Sequence, residues 1–175
     1  KRISPLVEAY VQRDESFLRE YEEINHTNGY GQNALHLAVK RVPSKLRMYD
    51  SLSLLLEKGI NLNHRDKFGR TPLYMACRYG EKGDIEKLLK AGANPNLQED
   101  KYGHSPLQVV AIKLGGTYLN GRFKGFDGTK AIAGYKDIFK LLIANGADVT
   151  LKDKQGREVS DLLTQYTPFT MADLK

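Results

Sequence analysis

One eight-residue phrase occurs three times in this chain, and it constrains the fold more than any other feature. The phrase reads GQNALHLA at 31–38, GRTPLYMA at 69–76 and GHSPLQVV at 103–110, so the copies start 38 and 34 residues apart. Such a period indicates a stack of small, similar units, each of which must bury its apolar face against a neighbour. The working part of such a chain is an extended surface rather than a cleft.

The residues of the phrase predict where helices begin and end. Thr71 and Ser105 each precede a proline, which suits a helix start because the hydroxyl caps the first turn and proline tolerates the missing N–H there. Gly59, Gly92 and Gly146 are predicted to end a second helix in the left-handed conformation that glycine adopts at little cost. Each unit therefore contains a turn, a helix A, a second turn and a helix B.

The phrase resembles the ankyrin repeat, whose motif is Thr-Pro-Leu-His-x-Ala at a period of about 33 residues. The segments at 59–63, 92–96 and 146–150 are similar to the family's Gly-Ala-Asp-x-Asn helix exit. The aspartate of the family's Asp-x-x-Gly hairpin tip is matched by Asp66, Asp100 and Asp153. The resemblance implies an all-α solenoid of four to five helix-pair units with short β-hairpin-like turns.

The resemblance also divides the chain, which we expect to be one domain over 1–175. An N-terminal capping unit covers 4–27, and full repeats cover 28–65, 66–99 and 100–152. The third full repeat contains an extended insertion at 114–134, and a C-terminal partial or capping unit covers 153–175. In this family the motif's histidine bonds backbone across the unit, which is the role implied for His36.

Composition and the absence of targeting patterns indicate the cellular compartment in which we expect this protein. The chain has 175 residues, is 41% hydrophobic and contains one cysteine, Cys77, which suits a reducing compartment. No apolar run reaches the roughly 18 residues of a membrane span, and no signal-peptide pattern opens the sequence. We expect a cytoplasmic or nuclear protein that is not secreted through an oxidising pathway. Because the sequence begins with Lys1 rather than with methionine, we also expect it to be a piece of a longer protein.

Partners of ankyrin proteins usually touch the hairpin tips and the exposed side of helix A, and 18 residues of this chain fall there. Nine of the 18 are Lys or Arg and none is Asp or Glu, whereas composition alone gives about three basic and two acidic residues. Tyr30, Phe68 and Tyr102 share one register at the tips, and we call them the aromatic row. The predicted contact residues are Tyr30, Gln32, Lys40, Arg41, Lys67, Phe68, Arg70, Arg78, Tyr79, Lys101, Tyr102, His104 and Lys113.

We therefore predict a concave, basic and aromatic face that contacts another protein, since Tyr and Arg dominate interface energetics. A basic face that is merely solvated is the alternative.

Two units carry extra residues between helix A and helix B. The spacing from the motif leucine to the exit glycine is 19 residues in the second unit, 24 in the first and 39 in the third. The larger insertion contains six glycines and an Asn120-Gly121 pair between strand-forming residues, which predicts a short hairpin. Tyr118, Arg122 and Phe123 are predicted partner contacts on this basic-aromatic arm, and a flexible loop without function is the alternative.

No catalytic, cofactor or metal site is predicted. His26, His36, His64 and His104 are not spaced as metal ligands. Cys77 occupies a helix A position that usually holds a small apolar residue, and nothing marks it as a nucleophile. We expect no enzymatic activity and no cofactor.

The predicted function is protein interaction by a monomer, with a partner that presents an acidic, phosphorylated or aromatic-containing segment. One alternative is a targeting or substrate-recruitment module of a larger enzyme, such as a bacterial effector or a ubiquitin-ligase component. A second alternative is polyanion or nucleic-acid binding, which the net charge of +6 permits. Nucleic acid is not the expected partner, because no known nucleic-acid module is recognisable.

Overall fold

A computed structural model describes residues 25–39, 51–124 and 128–174, and the side chains of 122–124 lie outside this description. Seven α-helices and one short 3₁₀-helix occur in these ranges, and no strand does. The helices are α1 (Ala34–Ala38), α2 (Ser51–Glu57), α3 (Pro72–Tyr79), α4 (Lys82–Lys90), α5 (Pro106–Lys124), α6 (Thr129–Ala144) and α7 (Val159–Tyr166), and the 3₁₀-helix covers Met171–Asp173.

The helices form two layers of a solenoid. Helices α1, α3, α5 and α7 are the A helices, and each packs on the next along the stack. Helices α2, α4 and α6 are the B helices, which pair with α1, α3 and α5 respectively, and α4 also packs on α6. The expected all-α ankyrin-type solenoid is confirmed. None of the described helices combines the length and the apolar character that crossing a bilayer requires.

The helix starts follow the chemistry of the repeated phrase. The Thr71 hydroxyl accepts a hydrogen bond from the backbone N–H of Tyr74 at 3.1 Å, and Pro72 occupies the first turn. In α5 the Ser105 hydroxyl accepts from the N–H of Gln108 at 3.2 Å. These bonds satisfy N–H groups that the first turn of a helix leaves without a partner.

The core lies between the two layers and is built from the repeated positions. The motif leucines Leu35, Leu73 and Leu107 are buried, and small residues beside them let neighbouring A helices approach. In α7 the position of the motif leucine is Ser160, which is half-buried, and Val159, Leu162 and Leu163 fill the core instead.

The insertion differs from the sequence prediction. Helix α5 continues through Asn120 and Gly121 to Lys124, so the predicted hairpin is wrong. Apolar residues at helical spacing, with Leu114 fully buried, hold α5 against α6 and α7. An Asn-Gly pair specifies a hairpin only where two strands pair across it, and tertiary packing decides otherwise here.

The segment after α7 folds back over the lengthened helices. Leu174 is fully buried, and the half-buried Phe169 ring lies 5.9 Å from the ring of Tyr118. The Lys136 ammonium group lies 3.6 Å from the centroid of the Phe169 ring, a cation–π contact. This segment therefore covers part of the apolar surface of α5 and α6.

Gly115 and Gly116 are adjacent in α5 and make a matched pair for testing this packing. A Cβ at Gly115 would collide with the Cβ of Tyr166 in α7, whereas a Cβ at Gly116 would meet nothing within 4 Å. We expect Gly115→Ala to destabilise the protein by roughly 1–3 kcal/mol through overpacking. Gly116→Ala should stabilise it by about 0.5–1 kcal/mol because alanine favours the helix.

Urea denaturation of both variants measures these changes in the free energy of unfolding. Equal effects of the two substitutions would contradict the close approach of α5 and α7.

Candidate partner-binding surface

Each turn that precedes an A helix is organised by one acceptor side chain. In the second unit Asp66 Oδ1 accepts from the backbone N–H groups of Phe68 and Arg70, both at 2.9 Å. Asp153 does the same for Gln155 and Arg157, at 2.8 and 3.0 Å. These bonds set the turn before any partner arrives.

The third turn departs from the predicted motif. Its acceptor is Glu99, whose carboxylate takes the N–H groups of Lys101 and Tyr102 at 2.7 Å and that of His104 at 3.2 Å. Asp100, which the resemblance assigned to this role, is instead exposed and pairs with Arg65 at 2.7 Å. The turn from Glu99 to Gly103 contains one more residue than the turn from 66 to 69, and the longer side chain of glutamate spans it.

Backbone hydrogen bonds join each turn to the next one. The N–H of Lys67 donates to the carbonyl of Tyr30 at 3.0 Å, and the N–H of Asp100 donates to that of Phe68 at 2.9 Å. The third bond runs from Lys154 to Tyr102 at 2.9 Å. The carbonyl acceptors are those of the aromatic row, so the three rings are held at a fixed backbone spacing.

The rings of the aromatic row point away from the core. Tyr30 is 64% exposed, Phe68 47% and Tyr102 49%, and they are the exposed large hydrophobic residues of the described chain. Cations lie beside two of the rings: the Arg70 guanidinium carbon is 4.5 Å from the Phe68 centroid, and the Lys101 nitrogen is 4.7 Å from that of Tyr102. This surface is therefore both aromatic and cationic.

Two of the arginines on this surface are committed to their own turns. Arg70 donates to Asp66 Oδ2 through Nε at 2.9 Å and Nη2 at 2.7 Å. Arg157 contacts Asp153 Oδ2 in the same way, at 2.9 and 2.8 Å. Burial opposes ionisation of Asp66, but the hydrogen bonds from Arg70 outweigh it and lower the pKa of that carboxyl group. These two arginines stabilise turns, and their charges are largely neutralised.

Two predicted contact residues lie behind the surface. Gln32 is buried and its amide oxygen accepts from the Asn28 side chain at 3.2 Å. His104 is buried under the Tyr102 ring, which stacks on it at 5.5 Å. Both side chains therefore support a turn rather than contributing exposed surface.

The other predicted contact residues are distributed as follows. Lys67 and Lys101 are exposed at the tips, Arg78 is exposed at the end of α3, and Tyr79 and Lys113 are half-buried. Tyr118 is half-buried against Phe169. Lys40 and Arg41 lie outside the described residues, as do the side chains of Arg122 and Phe123.

Comparison with known proteins identifies the family. A model described as "Ankyrin repeats (3 copies)" matches residues 5–99 and 44–119, and a single "Ankyrin repeat" matches 129–154. The chain belongs to the ankyrin-repeat family. Ankyrin repeats are generally non-catalytic modules that bind other proteins.

Relatives of this chain are much longer proteins. Rabankyrin-5 of Homo sapiens is 49% identical over 58 residues, which are 33% of this chain and 5% of that protein. The nuclear factor NF-kappa-B p105 subunit of Gallus gallus is 30% identical over 161 residues, covering 81% of this chain and 16% of that protein. The NF-kappa-B inhibitor cactus of Drosophila melanogaster is 28% identical over 114 residues, covering 59% and 23%. The chain thus spans less than a quarter of each of these relatives.

Side chains that ankyrin units use to join neighbours stand behind the aromatic row. His36 Nε2 donates to the carbonyl of Arg70 at 2.8 Å, which confirms the role that the resemblance implied. Gln108 occupies the same position of the repeated phrase two units further along the stack, and its Nε2 donates to the carbonyl of Arg157 at 3.0 Å. Histidine and glutamine are thus interchangeable donors at this point of the stack.

One residue near this surface was missed by the sequence analysis. Tyr135 of α6 lies against the end of α3, where a Cβ at Gly80 would be 3.1 Å from its hydroxyl. The only signal was the length of the insertion, which brings the first turns of α6 to this place.

The described residues offer no alternative chemistry at this surface. Among them no group of three or more His, Cys, Asp or Glu side chains is placed to hold a metal ion. Cys77 is fully buried, and burial raises the pKa of its thiol far above the physiological range. A thiol in that state is a poor nucleophile.

His36 makes the stability of this ankyrin stack depend on pH. Burial lowers its pKa from 6.5 to about 4, so protonation favours the unfolded chain, and stability is lost as pH falls from above 6.5 towards 4. Gln108 makes the equivalent hydrogen bonds in the third unit, so we expect His36→Gln to retain them while removing the titration. We expect the variant to lose about 2 kcal/mol less than the wild type between pH 7 and pH 5.

Urea denaturation at the two pH values measures this difference. Burial also lowers the pKa of His104. Because His104 is present in both proteins, its effect on the free energy of unfolding is the same in each and does not alter the difference between them. Parallel losses in the wild type and the variant would contradict the role of His36.

Proposed function

We propose that this ankyrin stack binds an acidic or phosphorylated segment of another protein along the aromatic row. The observation that supports the proposal is the exposure of three rings in one register, each on a turn bonded to its neighbour. Exposed aromatic rings cost free energy in water and are the groups that supply most of the binding energy at interfaces.

The backbone of the surface needs little ordering when it binds. The side-chain acceptors of the turns (the Asn28 amide oxygen and the carboxylates of Asp66 and Glu99) and the bonds between turns fix the spacing of Tyr30, Phe68 and Tyr102. Binding then costs the entropy of the partner segment and of a few side chains, and preorganisation of this kind raises affinity.

Charge favours an acidic partner. Lys67, Lys101 and Lys154 stand exposed at three consecutive tips, whereas Asp66, Glu99 and Asp153 are buried and occupied by turn hydrogen bonds. Lysines on the rim raise the rate of encounter with acidic partners more than they raise final affinity. We further propose that the protein acts as a monomer in the cytoplasm or nucleus.

A second candidate function is recruitment for a larger enzyme. It is favoured by the small share of its relatives that this chain spans. The same surface would then select the substrate for the catalytic domain of that larger enzyme. Polyanion binding is the remaining alternative.

A random peptide library displayed on phage tests the proposal. Peptides selected on the wild-type domain should be enriched in Asp, Glu and aromatic residues. We expect a Phe68→Ala/Tyr102→Ala double variant to bind the selected peptides about tenfold or more weakly, since buried interface aromatics typically contribute more than 1 kcal/mol each. Fluorescence anisotropy with labelled peptides measures the affinity.

A Lys90→Ala/Lys140→Ala variant is the control, because both lysines are exposed on B helices. It should bind the peptides as the wild type does, and circular dichroism checks that all variants are folded. Undiminished binding by the aromatic double variant would refute the proposal. If heparin bound the aromatic double variant and the lysine control equally, and with a steep dependence on salt, polyanion binding would replace the proposed function.

A further inference from the structure

A recess of about 410 Å³ lies along α3. It is lined by three cations, two tyrosines and a methionine: Arg70, Arg78, Lys113, Tyr79, Tyr135 and Met75. We propose that this cationic recess binds the phosphoryl group of a phosphorylated residue carried by the partner segment. The proposal rests on the proposed function and names the chemistry of one part of the ligand.

Positive charge in the recess is not compensated within the described chain. Arg70 is paired with Asp66 at 2.7 Å. Arg78 and Lys113 form no ion pair with any residue of 25–39, 51–124 or 128–174. No carboxylate contributes to the described lining. Two uncompensated cations in one recess are an arrangement that an anion stabilises.

The recess disfavours the charged form of one of its cations, Lys113. Lys113 is half-buried, and burial together with the charge of Arg78 lowers the pKa of its ammonium group. A bound dianion removes this repulsion and restores favourable charge pairing. Tyr79 and Tyr135, which are both half-buried, also line the recess.

The chemistry of the lining favours phosphate over a single carboxylate. A phosphoryl group carries nearly two charges and three acceptor oxygens near neutral pH, and arginine and lysine donors match them. A side-chain carboxylate carries one charge and cannot satisfy Arg78 and Lys113 equally well.

The position of the recess favours a phosphorylated residue within a peptide. Arg70 lines the recess and also lies 4.5 Å from the centroid of the Phe68 ring. The recess is therefore continuous with the aromatic row, and one extended segment spans both. Such a segment places an aromatic or apolar residue on Phe68 at a fixed distance from its phosphorylated residue.

Two peptide libraries test the inference. One has phosphoserine or phosphotyrosine fixed at the centre of otherwise random peptides, and the other has the unphosphorylated residue. We expect the wild-type domain to retain the phosphorylated library about tenfold more strongly. An aromatic residue should be selected at one preferred spacing from the phosphorylated residue, and Phe68→Ala should lose that preference.

An Arg78→Gln/Lys113→Gln variant should lose the preference for phosphorylation, whereas Lys90→Gln/Lys140→Gln, with the same net charge, should keep it. Lys113→Arg should retain it. In NMR titrations with phenyl phosphate, the amide signals of Arg78, Tyr79 and Lys113 should shift in the wild type and in the control variant only. Circular dichroism checks the fold of each variant.

Equal retention of the two libraries, or equal binding by the two Gln double variants, would overturn the inference. So would tight binding of phenyl phosphate without any preferred spacing in the peptides, because the ligand would then be a free phosphate ester. If the recess inference failed in one of these ways while unphosphorylated acidic peptides still required Phe68 and Tyr102, the recess alone would be rejected and the proposed function would stand. If those peptides did not require them, the proposed function would fail separately.

Discussion

The backbone bond between consecutive turns is the interaction on which the binding surface depends. In the second turn, Asp66 occupies the N–H groups of Phe68 and Arg70 with its carboxylate and that of Gly69 with its carbonyl. The N–H of Lys67 therefore remains to donate to Tyr30 of the preceding unit. Because buried or constrained backbone groups must find partners, the turn chemistry within each unit dictates how units are joined. The regular spacing of the aromatic row therefore follows from which backbone N–H groups are bonded within each turn and which one is left to bond the preceding unit.

The repeated phrase predicted the helix starts and the register of the tips because these features depend on local, periodic residues. Thr71 and Pro72 specify a helix start wherever they occur, and the tip register of Phe68 follows from counting back from them. Two features of the structure could not be predicted from local motifs: the acceptor of the third turn and the course of α5. The choice of Glu99 over Asp100 depends on an extra residue whose effect appears only when the turn is closed. The helix through Asn120 depends on packing against α6 and α7, which no local motif encodes.

The position of a charged residue decides its role in this surface more than the number of charges does. Arg70, Arg157 and Arg78 are the same residue type, yet the first two follow a buried aspartate by four residues and are bound to it. Arg78 follows no such aspartate and has no described ion-pair partner. The spacing of arginine from the turn aspartate is a sequence signal that separates structural cations from available ones. The basic excess of the surface therefore belongs to its lysines and to Arg78.

The insertion explains why the cationic recess belongs to this chain rather than to the repeat in general. It lengthens α6 at its start, and the added turns bring Tyr135 against the end of α3. Gly80 favours that approach, because it ends α3 with a φ of +75° and has no side chain to meet the tyrosine. The B helix of the compact second unit, α4, begins at Lys82 and lacks these added turns. An insertion on one edge of the stack thus shapes a recess next to the aromatic row, because Lys113 and Tyr135, which flank the insertion, both line that recess.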